Sequence, residues 1–158
     1  MDGKREMLRH TVATVAYRAA KAIGGAPAGF ESFRAGDTSR TAGQILAHIG
    51  DLFDWGLSLA KGAETWRESP PLTWDRGMAR VFDAIGRFDT YLAGDSPLAC
   101  APEQLFQGPI ADALTHIGQI AMLRRLAGSA VRGENYQRAA IAVGRVGPQQ
   151  DPPTREFD

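Results

Sequence analysis

Cysteine is nearly absent from this sequence, because Cys100 is the only one among 158 residues. A single thiol cannot form an intramolecular disulfide, which excludes the small secreted domains that depend on disulfides. Long apolar runs are also lacking, and no stretch reaches the ~18 consecutive apolar residues that a membrane-spanning helix requires. The first residues are charged, unlike the apolar core of a signal peptide. We therefore expect a cytoplasmic protein that does not associate with membranes.

An excess of charge of either sign is lacking too. Lysine and arginine total 18, aspartate and glutamate total 18, and the arginines are scattered along the chain. Nucleic-acid-binding domains carry clustered positive charge, so we expect no nucleic acid partner. The glycine-rich stretches match neither a dinucleotide-binding nor a phosphate-loop motif. These absences exclude several common function classes.

The chain does contain strong helical periodicity in its apolar residues. The spacing predicts four long helices, over residues 4–23, from 38 or 39 to 60, 73–92 and 110–126, and a short fifth helix over residues 134–143. No segment alternates apolar and polar residues as a strand does. The sequence therefore predicts an all-α protein, most simply a four-helix bundle, with one domain over residues 1–147 and a Pro-rich polar tail over residues 148–158.

Two of the three histidines lie where a helical protein could use them as ligands. Asp112 and His116 are four residues apart on the last long helix, so both side chains project from one face. His48 lies near the apolar face of the second helix. Metal sites in helical bundles are built from such inward side chains on facing helices. From spacing alone, however, a surface ion pair or a hydrogen-bonded core histidine is the more common interpretation.

Four other groups of polar residues are weaker candidates. Asp51 follows His48 by three residues and is interpreted as part of a solvated acidic face or as a partner of a ligand. Gln119 could orient a ligand or cap a neighbouring backbone group. Arg124 and Arg125 could bind a substrate carboxylate, although cations are expected near a helix C-terminus. Cys100 has no neighbouring histidine or acid in the sequence, which argues against a nucleophile.

Two segments of the chain resemble a known family. Residues 115–128 contain a HIGQI…LR…G pattern that resembles the HRGQI…LR…G ending of the fourth helix in the DinB/YfiT-like superfamily. Residues 41–55, which include His48 and end at Trp55, resemble the second helix of that family. The resemblance covers roughly residues 38–128, and the order of four helices agrees with it.

The resemblance implies a four-helix bundle that binds one divalent metal ion through three histidines. His48 matches the ligand from the second helix, and His116 matches the second ligand from the fourth helix. Asp112 stands where the family usually has its other histidine. A carboxylate makes the donor set harder, and either the metal site persists in this form or metal binding has weakened or been lost. The ion would be Zn, Ni, Fe or Mn.

The resemblance also implies a function. Members with known activity are thiol-dependent transferases and isomerases that use low-molecular-weight thiols, so the expected activity is a metal-dependent thiol S-transferase, or a related hydrolase or isomerase, acting on a small-molecule substrate. A homodimer is expected because dimers are common in the family. The alternative is a non-catalytic binding or stress-response protein in which Asp112 and His116 form a structural pair.

Overall fold

The computed structural model describes residues 2–157, and four long helices account for about half of them. The elements are α1 (Gly3–Ile23), α2 (Ala42–Ala60), α3 (Trp74–Ala93), α4 (Pro102–Leu105), α5 (Ala111–Leu126), β1 (Gly133–Glu134) and β2 (Glu156–Phe157), with short 3₁₀ turns at Phe30–Ser32 and Tyr136–Arg138. The predicted all-α class is confirmed, since the two strands are only two residues each. Membership of the DinB/YfiT-like type stays a prediction.

The second helix begins later than the sequence spacing predicts. Thr41 is its N-cap, because the Thr41 hydroxyl accepts a hydrogen bond from the Gln44 backbone N–H while the Gln44 side chain accepts one from the Thr41 backbone N–H. This reciprocal capping box satisfies two backbone donors that would otherwise lack partners. The predicted start at Thr38 or Ser39 is therefore wrong by three or four residues. The residues just before Thr41 belong to a loop.

The segment before α5 also differs from the prediction. Pro109 directly precedes the helix predicted over residues 110–126, and it lies inside a π-helical turn, Phe106–Ile110, that joins α4 to α5. A proline in a helix removes one hydrogen bond and clashes with the preceding turn, and a wider turn accommodates both effects. Gly56 on α2 allows this turn to approach, since a β-carbon there would lie 3.0 Å from Pro109 Cγ. The close approach brings α5 alongside α2.

The four long helices enclose a single apolar core. Helix α2 packs against α3 and α5, and α1 packs against the same two helices. The largest fully buried side chains come from every long helix and include Val12, Ile23, Phe53, Phe88 and Ile120. Burial of this surface supplies most of the stabilising free energy and fixes the helix faces. None of the helices within residues 2–157 has both the length and the apolar character needed to cross a membrane.

The fifth helix that the sequence predicts over residues 134–143 does not form. Residues 134–143 contain the end of β1 and the 3₁₀ turn Tyr136–Arg138 instead of a fifth helix. The reason lies in long-range contacts, because Glu134 is buried and accepts hydrogen bonds from the Tyr17 hydroxyl and the Lys21 ammonium of α1. Strand β2, near the end of the predicted tail, pairs antiparallel with β1. The domain boundary at residue 147 stays a prediction, and Met1 and Asp158 lie outside the described residues.

Candidate metal centre

His48, Asp112 and His116 come together between α2 and α5. One ligand atom from each of the three side chains lies within 4.8 Å of the other two. His48 Nε2 is 3.6 Å from Asp112 Oδ2, and His116 Nδ1 is 3.3 Å from Asp112 Oδ1. The two imidazole rings are 4.5 Å apart between centroids. The group therefore has the composition and spacing of a possible metal site.

The backbone of α5 fixes the orientation of the His116 ring. His116 Nδ1 lies 2.8 Å from the backbone carbonyl oxygen of Asp112, one helical turn earlier. A carbonyl oxygen can only accept a hydrogen bond, so Nδ1 carries the proton and donates it. The neutral ring then has its free lone pair on Nε2. Histidine ligands of metals commonly donate their second N–H to a carbonyl or carboxylate in this way.

The separations suit a small divalent ion. With bonds of about 2.1 Å, two neighbouring donors on a tetrahedral ion lie about 3.4 Å apart. The 3.6 Å between His48 Nε2 and Asp112 Oδ2 is close to that value. Two donors on one ion are never more than about 4.2 Å apart, so a pair at the 4.8 Å limit would have to close by about 0.6 Å.

Burial keeps the imidazole of His48 in the form that binds metal. The His48 side chain is 18% exposed. Its pKa lies below the ordinary value because burial disfavours the charged form, and because His116 and the Arg40 guanidinium add repulsion; Asp112 opposes these effects. A neutral ring has the lone pair that a metal requires. Burial thus favours the neutral, metal-binding form of the His48 imidazole over the protonated form.

Asp112 is partly exposed to solvent. Its side chain is 45% exposed, although apolar residues flank it in the sequence. The exposed positions of α5, among them Thr115, Gly118, Gln119 and Met122, form a solvent-facing side that begins next to Asp112. An exposed carboxylate needs no partner to remain charged. Its position beside two histidines is therefore not explained by a need for neutralisation.

Two tryptophan rings form an aromatic cluster beside His48. The Trp66 ring meets His48 edge-on, with 5.6 Å between centroids, and meets Trp55 at 5.9 Å. Trp66 lies in the loop between α2 and α3. Asp51 anchors that loop, since its carboxylate accepts hydrogen bonds from the Ser69 backbone N–H and hydroxyl. The sequence gave no signal that Trp66 lies beside His48.

An open cleft of about 600 Å³ lies against both histidines. Arg40, Ser39 and Gln119 supply polar groups, while Ile45, Met122, Leu123 and Leu126 supply apolar ones. Gln119 thus lies beside the site, which agrees with the interpretation that it orients a ligand. Sequence reasoning missed Arg40 because it assigned the helix start too early. The Thr41 capping box was the signal that could have placed Arg40 in a loop.

Arg124 and Asp51 have structural roles. Arg124 is buried and donates hydrogen bonds to the carbonyl oxygens of Ala22, Gly24 and Gly25 at the end of α1, so it does not bind a substrate. Asp51 is 4% exposed and pairs with Arg80, which contradicts the solvated acidic face. Neither residue belongs to the three-residue metal group.

Cys100 and His10 do not contribute to the candidate site. Burial raises the pKa of the Cys100 thiol, which leaves less of the nucleophilic thiolate near neutral pH. The sequence-based argument against a nucleophile is consistent with this direction. His10 is exposed on α1, as expected for a surface residue. Among residues 2–157, the only grouping of three or more potential metal ligands is His48, Asp112 and His116.

Comparison of the chain with protein-family models, curated proteins and solved structures finds no match. The resemblance to the DinB/YfiT-like superfamily therefore stays a prediction. Function has to be inferred from the geometry of the three side chains and the cleft beside them. That geometry identifies a possible metal-binding centre in an all-α protein.

Proposed function

We propose that this chain is a divalent-metal-binding protein of the DinB/YfiT-like type, with His48, Asp112 and His116 as ligands, and that it acts as a metal-dependent thiol S-transferase or a related hydrolase or isomerase. The observation that carries the proposal is the convergence of the three ligand atoms within 4.8 Å, from two different helices. The two-histidine, one-carboxylate set suits Zn, Ni, Fe or Mn and leaves coordination positions open.

The chain's own residues prepare the site in three ways. Burial holds His48 neutral, and the hydrogen bond from His116 Nδ1 to the Asp112 carbonyl oxygen directs the free lone pair to Nε2. The half-exposed Asp112 carboxylate supplies a negative charge that offsets part of the charge of a divalent ion. Helices α2 and α5 are packed against one core, so the ligands are held by rigid elements.

The cleft gives small molecules access to the centre. When bound, a divalent ion lowers the pKa of a coordinated water or thiol and supplies a nucleophile near neutral pH. The partly buried Cys100, whose thiol pKa is raised, is a poor candidate for that thiol, so we infer an exogenous low-molecular-weight thiol, as the family resemblance implies. The cleft beside His48 and His116 has room for such a thiol or a small substrate.

Metal analysis of protein purified without chelator tests the proposal. We expect close to one divalent ion per chain, and we expect His116→Ala to lose it. Because Trp66 lies beside His48, titration of the apo protein with a quenching ion such as Cu²⁺ or Ni²⁺ should reduce tryptophan fluorescence in the wild type and not in His116→Ala.

His10→Ala is the matched control, since it removes an exposed histidine from α1. It should retain both the ion and the fluorescence response. Absence of bound metal under all loading conditions, or equal binding by the wild type and His116→Ala, would contradict the metal centre. Activity with a thiol is tested afterwards on the loaded protein.

A non-catalytic function is the second candidate. His116 Nδ1 lies close to both the backbone carbonyl oxygen and the carboxylate Oδ1 of Asp112. These contacts favour a structural role, because the two residues could stabilise α5 as a pair. Alanine at Asp112 or His116 would then lower thermal stability without changing any metal or ligand affinity. The proposed homodimer is tested separately by light scattering.

A further inference from the structure

We propose that the cleft beside His48 and His116 binds a small aliphatic carboxylate, with Arg40 holding the carboxylate group and Met122 and Leu126 covering the aliphatic part. The proposal rests on the proposed function, because it names the substrate class of the same site. It concerns a residue, Arg40, that lies outside the group of potential metal ligands.

Arg40 is a cation without a counter-ion at the edge of the cleft. It is exposed, and within residues 2–157 no hydrogen bond or ion pair engages it. By contrast, Arg87, which lines another cavity, is paired with Asp54 and Asp83. The planar guanidinium can bind a carboxylate through two parallel hydrogen bonds. Arg40 is therefore placed and available to hold an anionic group.

Part of the cleft lining is apolar and solvent-exposed. Met122 and Leu126 lie one turn apart on α5, and each residue is 57% exposed. The buried Leu123 and Ile45 line the same cleft, together with Arg40. An aliphatic chain of a few carbons would remove part of this surface from water. A charged group and apolar side chains in one cleft match an amphiphilic anion.

The charge balance of the whole site also favours an anion. Two neutral imidazoles and the Asp112 carboxylate would leave a bound divalent ion with a net charge of about +1, and Arg40 adds another positive charge. A cationic substrate would be repelled by both. A neutral substrate would form no ion pair with Arg40.

The experiment measures the binding of 4-methylpentanoate and its neutral analogue 4-methylpentanamide by calorimetry, using the full chain with and without Zn²⁺. We expect saturable binding of the carboxylate and binding of the amide that is weaker by about tenfold. Arg40→Gln should weaken carboxylate binding by about fivefold to tenfold and leave amide binding unchanged, while Arg40→Lys keeps part of the affinity. Arg76→Gln, which removes an exposed arginine from α3, is the matched control and should behave as the wild type.

The outcomes separate this inference from the proposed function. Metal stoichiometry is measured on the same samples, so a protein that binds no metal but binds the carboxylate through Arg40 contradicts only the metal centre. Equal affinities in Arg40→Gln and Arg76→Gln, equal affinities for the acid and the amide, or no saturable binding would overturn the carboxylate site. A dimer that Met122→Glu dissociates, and that excludes the carboxylate, would assign this face to a second copy and overturn it as well.

Discussion

Replacement of Asp112 by asparagine removes the one carboxylate of the candidate metal centre and keeps the size of the side chain. Because Asp112 is 45% exposed, the apo protein should lose at most about 0.5 kcal/mol of stability. The effect on metal binding should be far larger, since His48 Nε2 and Asp112 Oδ2 are 3.6 Å apart and would share the ion. Asp112→Asn therefore distinguishes a role of Asp112 as a metal ligand from a purely structural role.

The magnitude follows from linkage between binding and folding. At a free metal concentration about 100 times the dissociation constant, a bound ion stabilises the wild type by about 2.7 kcal/mol. Loss of residues that merely support ligands weakens metal binding by about 10-fold to 100-fold, so loss of a ligand should cost about 100-fold. The same metal concentration then stabilises Asp112→Asn by only about 0.4 kcal/mol. For a chain of 158 residues, these two stabilisation energies correspond to a metal-induced rise in Tm of about 5–10 °C in the wild type and about 1–2 °C in the variant.

The assay is thermal unfolding with and without Zn²⁺, together with chelator competition to obtain Kd. Asp75→Asn is the control, because Asp75 is an exposed carboxylate in the first turn of α3. It should keep the full metal-induced shift. If Asp112→Asn showed the same Kd and the same rise in Tm as the wild type, Asp112 would not be a ligand and the three-residue centre would be refuted.

Two further predictions concern pH and the structural arginine. The pKa of His48 in the folded protein lies below 6.5, the value expected in the unfolded chain. At a pH between these two values, the unfolded chain binds more protons than the folded protein does. The contribution of His48 to the free energy of unfolding is therefore full above about pH 6.5 and is lost as the pH falls through the folded-state pKa. NMR titration of the metal-free protein should give this lowered pKa, with a rise in Arg40→Gln, and a value at or above 6.5 in the wild type would contradict it. Arg124→Met leaves the carbonyl oxygens at the end of α1 without donors and should cost roughly 2–4 kcal/mol in urea unfolding. Arg125→Met, at an exposed position, should stay within about 0.5 kcal/mol of the wild type.

The helices were predictable from the sequence because their signals are local. The apolar spacing predicted α1, α3 and α5 to within a residue or two, as Gly3–Ile23, Trp74–Ala93 and Ala111–Leu126 show. Two errors arose where local signals competed. The start of α2 depends on the reciprocal bonds of Thr41 and Gln44, and the π-helical turn before α5 depends on Pro109 packing against α2.

The C-terminal region shows the limit of local signals. Residues 134–143 have a composition compatible with a helix, but Glu134 is fixed by Tyr17 and Lys21, more than a hundred residues earlier in the chain. Strand β2 then pairs with the neighbouring Gly133 and Glu134. Such long-range contacts have no signature in a short window of sequence, so the predicted fifth helix was wrong.

The sequence by itself determined the all-α class and the pairing of Asp112 with His116, because four residues along a helix always bring two side chains to one face. It also supplied His48 as a candidate ligand. Only the tertiary structure decided that His48 lies 3.6 Å from Asp112, that the Trp66 ring meets His48 edge-on and that Arg40 lines the same cleft. The reason is physical: the packing of the apolar faces of α2 and α5 sets how the two helices meet, and that packing depends on the whole core.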